Sequence, residues 1–363
     1  MAGARTSTGQ RGGGAGGAGG ATGGRARATH ATLPPAREAA EALLLKGNAV
    51  DAVVAGVFAA AAAEPSVLLG PVQLLFGGGG AGHQAVSGRL LQSGKGIDRP
   101  RGFRDGDRVP DAARVAVPAL SAALVAALAT AGQASLSQVV GPAVELARGT
   151  PRRAVLAEVA RLGPRAMCEG TLAEELVHAA NRVAGGTLTR EDLDDVRVAV
   201  ERCALEPAEV GADGEPRGLL TVPWGSRATL PSAAEGESGL DARNVHAVLA
   251  VDRNGLFALA VFEVHLDVLP IPELGLAAPL VAQPVRRGTP RVRPGTVLAA
   301  PFPAGLVERR GAFELGLVVV QSPTGEADAR ALLTRAVSGE RPQSSGARML
   351  AVAQTGDRAS AFG

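Results

Sequence analysis

Two hydrophobic runs separated by a short polar turn lie between residues 243 and 265. Each run is rich in β-branched or aliphatic residues and is long enough to form a strand. The turn, residues 252–255, reads Asp-Arg-Asn-Gly and supplies residues that tolerate a positive φ in a tight connection. The pattern predicts a buried β-hairpin.

Helical patterns dominate the part of the chain before this hairpin. Residues 49–63 are almost uniformly apolar, Asn48 can cap them, and Asp51 occupies the third helical position. Such a helix must be buried on nearly all sides. Further helices are predicted at 36–46, 118–131, 135–148, 171–184 and 326–337, and strands at 81–92, 196–205, 297–300, 306–309 and 313–321. This order predicts a layered α/β domain with an antiparallel sheet between helices.

Four consecutive glycines follow Phe76, at residues 77–80. No Lys-Ser/Thr pair follows them and no G-x-G-x-x-G opens a helix, so a nucleotide-binding loop is not favoured. We expect backbone there to pass close to other backbone or to a ligand.

The composition limits the possible functions. The chain of 363 residues has 46% hydrophobic residues but only eight Phe, one Trp and no Tyr, which predicts a core of Ala, Val and Leu. The 37 basic and 35 acidic residues nearly balance, so we expect no nucleic-acid partner. Cys168 and Cys203 lie far apart without metal-ligand spacing. No metal site and no cofactor is therefore expected.

The ends of the chain are polar or of low complexity. Residues 1–29 are rich in Gly, Ala and Arg and lack the apolar centre of a secretory signal, which predicts a disordered tail and a cytoplasmic location. No uninterrupted apolar run is long enough for a membrane helix, so no membrane partner is expected. We expect one domain at 30–340, with a loop at 211–241 and a polar tail at 341–363.

Several stretches, taken in order, resemble motifs of the gamma-glutamyltransferase family. Residues 46–52 and Glu64-Pro65 resemble its G-G-N-A-V-D-A helix and terminal E-P, and residues 77–80 match its G-G-G-G. Residues 115–118 (V-A-V-P), 169–174 (E-G-T-L-A-E) and 185–193 (G-G-T-L-T-R-E-D-L) resemble its V-A-V-P-G, Y-E-G-x-I-A-E and G-G-x-(L/I)-T-x-E-D-L motifs. Residues 251–255 (V-D-R-N-G) and 322–325 (S-P-T-G) resemble its V-D-x-D-G turn and S-P-G-G motif. The resemblance implies a divergent, shortened member with the N-terminal-nucleophile fold, a four-layer αββα sandwich with antiparallel sheets between helix layers.

The family nucleophile is a threonine at the start of the hairpin's first strand. Its hydroxyl cleaves the chain, and its freed amine then acts as the base for that hydroxyl. Counting back from Asp252, the family's T-T-H falls on Val245-His246-Ala247, and the neighbouring Asn244 supplies no threonine either. Because valine has no hydroxyl, the resemblance implies that self-processing and the acyl-enzyme step are lost.

The other family site positions also differ in this chain. The substrate-binding Asn falls on His265, and a Gln and an Asp fall on Leu280 and Gln283. Near the family's carboxylate-binding Arg the only cation is Lys95, and the paired serines have no counterpart at 292–296. The loop at 211–241 replaces a long segment that carries the family's cleavage junction.

These observations leave two main hypotheses for function. In the first, the chain is an uncleaved, inactive binding or partner subunit for an anionic small molecule of gamma-glutamyl type, an active paralogue or another protein. Its ligand contacts would be Lys95 and the loop that carries Ser322, Thr324 and Gly325. In the second, the chain is a working gamma-glutamyl enzyme or other amidohydrolase with a non-standard nucleophile. Ser322 is the main candidate, and Cys203 is a weaker one.

Two histidines could add chemistry at the hairpin's open end. If the strands pair across the turn, His246 and His265 fall near the same end, where two imidazoles could bind a metal or share a proton. No third ligand is identifiable, which favours two partly exposed histidines instead.

Overall fold

The computed structural model describes residues 26–208, 214–221, 243–298, 304–321 and 348–363. Within these residues the helices are α1 (Pro34–Leu44), α2 (Ala49–Ala63), α3 (Leu120–Ala131), α4 (Leu136–Leu146), α5 (Arg152–Leu162), α6 (Gly170–Ala180) and α7 (Arg190–Asp194). The strands are β1 (Ala28–Ala31), β2 (Val72–Gly77), β3 (His83–Gly88), β4 (Val200–Arg202), β5 (Glu206–Ala208), β6 (Arg217–Thr221), β7 (Arg243–Val251), β8 (Phe257–His265), β9 (Val268–Ile271), β10 (Leu276–Pro279), β11 (Ala304–Arg309), β12 (Ala312–Gln321), β13 (Arg348–Thr355) and β14 (Arg358–Phe362).

The strands form two large antiparallel sheets and a small one. The first sheet has the order β1-β7-β8-β2-β3-β4, and the second has the order β14-β13-β12-β11-β6-β5. Strands β9 and β10 pair with each other. Helices α1 to α3 pack on one face of the first sheet, and α4 and α5 pack further out against α2. The second sheet lies against the other face of the first sheet.

The hairpin β7–β8 lies at the centre of the first sheet and confirms the predicted buried hairpin. Ala247, Leu249 and Val251 lie in the core between the two sheets, whereas Val248 and Ala250 lie in the core beneath the helices. A strand that is buried on both faces needs no polar alternation, which explains its continuous apolar runs.

The N-terminus of α2 has the predicted cap. Asn48 and Asp51 form a capping box, and Asp51 also accepts hydrogen bonds from the backbone N–H groups of Gln133 and Ala134. The C-terminal end of α2 is satisfied by Arg152, whose buried guanidinium donates to the carbonyls of Ala61 and Ala62. The sequence pattern did not predict α5, which supplies this arginine.

Three of the four expected layers lie within the described residues: a helix layer and two sheets. The predicted helix at 326–337 lies outside them. The fold therefore agrees with the expected α/β sandwich as far as the structure describes it.

Several elements differ from their predictions. Residues 81–92, predicted as a strand pair, form the single strand β3, because its partners are β2 and β4. The helix predicted at 171–184 is the shorter α6, which begins at Gly170 without a side-chain cap and ends at Ala180. Of the strand predicted at 297–300, Val297 makes an isolated bridge to Leu91, and residues 299–300 lie outside the described residues.

The termini of the domain also depart from the predicted tails. Strand β1 begins at Ala28, inside the segment expected to be disordered. Strands β13 and β14 occupy most of the segment expected to be a polar tail, and β6 lies within the expected loop at 211–241. Each of these strands is short or carries few large apolar residues, so its sequence pattern alone does not predict a strand. Its pairing with distant strands defines it. None of the described helices has the length and apolarity needed to cross a membrane.

The glycine run after β2 approaches the hairpin turn. A Cβ atom added at Gly78 would lie 2.2 Å from the carbonyl oxygen of Gly255, and Gly78 has a φ of 86°. The expectation that backbone passes close to backbone is therefore confirmed here. Gly80 has the same φ of 86°, but nothing lies within 4 Å of a Cβ at that position.

These two glycines give a matched test of the close approach. Both Gly78→Ala and Gly80→Ala add a methyl group in left-handed backbone, which costs about 1–2 kcal/mol. Only Gly78→Ala also forces the turn apart, so we expect it to lower the free energy of unfolding by about 2 kcal/mol more. Denaturant unfolding measures both, and equal losses would contradict the described packing.

Candidate functional site

Val245, the residue that the resemblance places at the family's nucleophile position, lies near the open end of the hairpin. Val245 stands directly opposite Glu263 in the β7–β8 register. Its half-buried side chain packs against the core between the two sheets. The alternation of the strand therefore directs this position toward the second sheet and away from the helices.

A buried carboxylate and a buried imidazole lie beside Val245. Glu263 is 1% exposed and His265 is 7% exposed, and both lie on β8 two residues apart, so they share one face of the sheet. The Oε2 atom of Glu263 lies 2.9 Å from Nε2 of His265. The backbone N–H of His265 donates to Oγ of Ser66 at 3.1 Å, which fixes the end of the strand.

This pair is incompletely satisfied. The 2.9 Å contact lacks hydrogen-bond geometry, and within the described residues Oε1 of Glu263 has no hydrogen-bond partner. Burying an unsatisfied carboxylate oxygen costs stability, so such a group in a folded protein calls for an explanation. The pair could exchange a proton with a bound molecule. The residue facing it across the strands, Val245, has no group that could attack an acyl carbon.

The structure does not bring the two histidines together. His246 lies on the opposite face of the sheet from His265, because its register partner is Phe262. Its ring stacks on Phe262 at 5.8 Å, and its Nδ1 lies 2.9 Å from Oγ1 of Thr32. Burial, followed by the positive charge of Arg348, lowers the pKa of His246 to about 4.

The positions that replace the family's Gln and Asp serve structural contacts. Leu280 is buried, and its N–H donates to the carbonyl of Asp267, just beyond β8. The N–H of Gln283 donates to Oε1 of Gln92 at 2.8 Å, and Nε2 of Gln92 donates back to the carbonyl of Gln283. Leu280 is therefore held beside the residues that follow β8, whereas Gln283 is held by the loop that precedes Lys95.

Lys95 is engaged by α7 and the residues around it. Its backbone N–H donates to Oδ1 of Asp192 at 2.9 Å, and its ammonium contacts Asp195. The hydrogen bond and charge of Lys95 lower the pKa of Asp195. An anionic ligand at Lys95 would have to compete with this carboxylate, and the ligand role of Lys95 stays a prediction.

The remaining candidates divide between described and undescribed residues. Ser322, Thr324 and Gly325 lie outside the described residues. Burial raises the pKa of both thiols, Cys168 and Cys203, which favours the unreactive protonated form. Within the part of the chain that the structure describes, no three His, Cys, Asp or Glu side chains are grouped as metal ligands would be.

Sequence reasoning considered His265 but missed Glu263. The signal was present, since Glu263 is the one charged residue in the apolar run 256–264. A lone carboxylate inside a predicted buried strand requires a partner, and the residue two positions along on the same face is His265.

The overall fold is the α/β sandwich that the resemblance implied, and solved structures with a similar fold match it. The cephalosporin acylase from Bacillus halodurans matches with a TM-score of 0.62 over 88% of this chain and 82% of that chain, at 13% identity. The structure named LmbA2991HD matches with a TM-score of 0.62 over 88% of this chain and 83% of that chain, at 18% identity.

The gamma-glutamyltranspeptidase of Helicobacter pylori aligns less extensively. Its TM-score is 0.41 over 49% of this chain and 66% of that chain, at 21% identity, which is too low to establish a shared fold by itself. No protein-family model and no curated protein matches the sequence. At sequence identities this low, the structural similarity shows the fold alone. The reaction has to be argued from the site.

The pKa of His246 predicts a pH dependence of stability. Between pH 6.5 and about 4 the unfolded imidazole binds a proton that the folded one does not, so stability falls as the pH is lowered through this window. We expect His246→Gln to flatten this dependence, while His178→Gln, at an exposed position on α6, leaves it unchanged. Thermal unfolding measured across the window tests this, and parallel profiles for all three proteins would contradict it.

The Glu263–His265 pair predicts a non-additive pair of substitutions. His265→Leu leaves the carboxylate of Glu263 buried without its partner, and we expect a loss of about 3 kcal/mol in the free energy of unfolding. Replacing both residues by Leu removes the stranded charge, so the double variant should recover most of that loss. Denaturant unfolding gives the comparison, and strictly additive losses would show that the two side chains do not interact.

Proposed function

We propose that this chain is a gamma-glutamyltransferase-like protein that neither cleaves itself nor turns over a substrate, and that it acts as a binding or partner subunit. The observation that carries the proposal is the side chain of Val245. At the family's nucleophile position it offers only methyl groups, packed against the core between the sheets. Neither the attack that cleaves the chain nor the acyl-enzyme step can start there.

The surroundings of Val245 support the same proposal. Where the family places a substrate-binding Asn, His265 is buried and paired with Glu263. Leu280, at another family site position, is a buried apolar residue. Restoring the hydroxyl alone would therefore leave the rest of the family site absent.

The proposed ligand is an anionic small molecule of gamma-glutamyl type, with Lys95 as its cationic contact. The proposed partner is an active paralogue or another protein, met in the cytoplasm. In this role the retained sandwich provides surfaces for binding a ligand or a protein. Without a nucleophilic hydroxyl at position 245, the bound ligand is not turned over.

One observation favours a second candidate function, a hydrolase that uses another nucleophile. The Glu263–His265 pair is a carboxylate next to an imidazole, the combination that orients a general base in many hydrolases. In this alternative the nucleophile would be Ser322 or a water molecule. The structurally similar protein from Bacillus halodurans is named a cephalosporin acylase, so the proposed reaction class is amide hydrolysis or acyl transfer.

Chain integrity and turnover distinguish the two candidates. We expect purified protein to give one band on a denaturing gel at its full mass of 36.4 kDa and to release no chromophore from a chromogenic gamma-glutamyl amide. Val245→Thr should also stay whole and inactive, because the neighbouring family positions are replaced, and Val245→Ala serves as its matched control.

Two outcomes would contradict the first candidate, and the first is two fragments from the unmodified protein, which would show self-processing. Cleavage of Val245→Thr alone would contradict only the expected loss of the surrounding site, since it would show that only the hydroxyl is missing. Turnover by the unmodified protein that His265→Ala abolishes would support the second candidate.

A further inference from the structure

Two arginine-bearing loops that are distant in the sequence lie side by side. Residues 98–108 contain four arginines and three aspartates, and residues 284–293 contain four arginines and no carboxylate. Backbone pairing joins them: the N–H of Phe103 donates to the carbonyl of Val285 at 2.8 Å, and the N–H of Arg287 donates to the carbonyl of Phe103 at 2.9 Å. The fold thus gathers positive charge that is dispersed in the sequence.

Arginine side chains strengthen this junction. The guanidinium of Arg291 donates to the carbonyls of Gly94 and Ile97, at 2.8 and 3.1 Å. Arg287 lies across Gly102, where an added Cβ would be 3.3 Å from Cγ of the arginine, and its Nε donates to the carbonyl of Gly102. Main-chain carbonyls hold these cations in place but leave their charge uncompensated.

We define the arginine surface as the side chains of Arg99, Arg101, Arg104, Arg286, Arg287, Arg291 and Arg293. In the described part of the chain none of them forms an ion pair with a carboxylate. By contrast, Arg148, two residues beyond the end of α4, pairs with Glu145, and Arg161 of α5 pairs with Glu158. Positive charges that lie close together without anionic partners repel one another. An acidic partner would therefore be attracted to this surface and would accept hydrogen bonds from its unused N–H donors.

The chemistry of the surface favours carboxylates on a protein over a nucleic acid. A guanidinium presents a planar fork of donors that matches a carboxylate in bidentate geometry. Nucleic-acid surfaces usually add exposed rings for base stacking. The one aromatic residue in the two loops, Phe103, is 2% exposed and lies beneath the guanidinium of Arg101, 5.2 Å from its ring centroid.

We propose that the arginine surface is the docking site for an acidic, Asp/Glu-rich segment of a protein partner. The proposal deepens the partner role put forward above and rests on that role, although docking itself requires neither an intact nor a lost nucleophile. Because Arg291 is bonded to the carbonyl of Gly94, the docked segment lies beside Lys95. A segment bound to the arginine surface would therefore lie next to the loop that carries Lys95, the candidate ligand contact.

The test measures binding of a fluorescein-labelled poly-glutamate peptide to the full chain by fluorescence anisotropy at low ionic strength. The triple variant Arg99→Gln, Arg104→Gln, Arg293→Gln removes three exposed cations for which no side-chain contact is described. We expect it to weaken binding about tenfold or more. The matched control, Arg148→Gln, Arg153→Gln, Arg161→Gln, removes the same charge from exposed positions on or beside α4 and α5 and should change binding less than about twofold.

A variant that keeps every charge separates the effect of arginine position from the effect of net charge. Gly102→Val pushes Arg287 from its position while every arginine stays, so it should also weaken binding. Thermal unfolding confirms that each variant is folded.

Equal losses in the two triple variants would overturn the proposal, because binding would then follow net charge alone. Failure of the peptide to bind would overturn it as well. Tighter binding of an oligothymidylate of the same charge would assign the surface to nucleic acid instead. None of these results depends on chain cleavage or turnover, so the proposed function stands or falls separately.

Discussion

Two buried carboxylates, Asp51 and Asp252, join the layers of the sandwich. Asp51 caps α2 and accepts hydrogen bonds from the residues that follow α3. Asp252 accepts from the N–H groups of Asn254 and Leu256 in the hairpin turn and, at 3.4 Å, from the N–H of Ala49 at the start of α2. Its own carbonyl accepts from Gln354 on β13, in the second sheet. The helix layer, the hairpin and the second sheet therefore meet at one turn.

This junction explains why short motifs predicted the fold correctly. The Asn-x-x-Asp cap and the Asp-x-x-Gly turn are local patterns, and their side chains satisfy backbone N–H groups within a few residues. The central hairpin was predictable because burial on both faces leaves a continuous apolar signal. Strands β13 and β14 carry no such signal, since β13 is placed by pairing with β12 and β14 by pairing with β13. Helix α5 was missed although Val155, Leu156 and Val159 have helical spacing, because its buried face begins with the charged Arg152.

The candidate site was only partly predictable for a related reason. Counting from the turn located Val245, because a hairpin fixes register from its turn outward. The shared face of Glu263 and His265 follows from their spacing on one strand, but their burial between the two sheets required the assembled fold. The arginine surface required contact between two loops that lie far apart in the sequence, and no local pattern encodes such contacts. Local sequence patterns thus predict helices, strands and turns, whereas the contacts between side chains from distant segments depend on the assembled layers.

Helix α2 is held at both ends by groups from distant segments, Asp51 with the turn after α3 at one end and Arg152 of α5 at the other. Its amides are buried beneath sheet and helices, so no frayed end offers a start for local opening. Hydrogen exchange along α2 should therefore proceed only through unfolding of the whole sandwich. The slowest-exchanging amides of this helix would then report the global stability of the protein, whatever ligand or partner it binds.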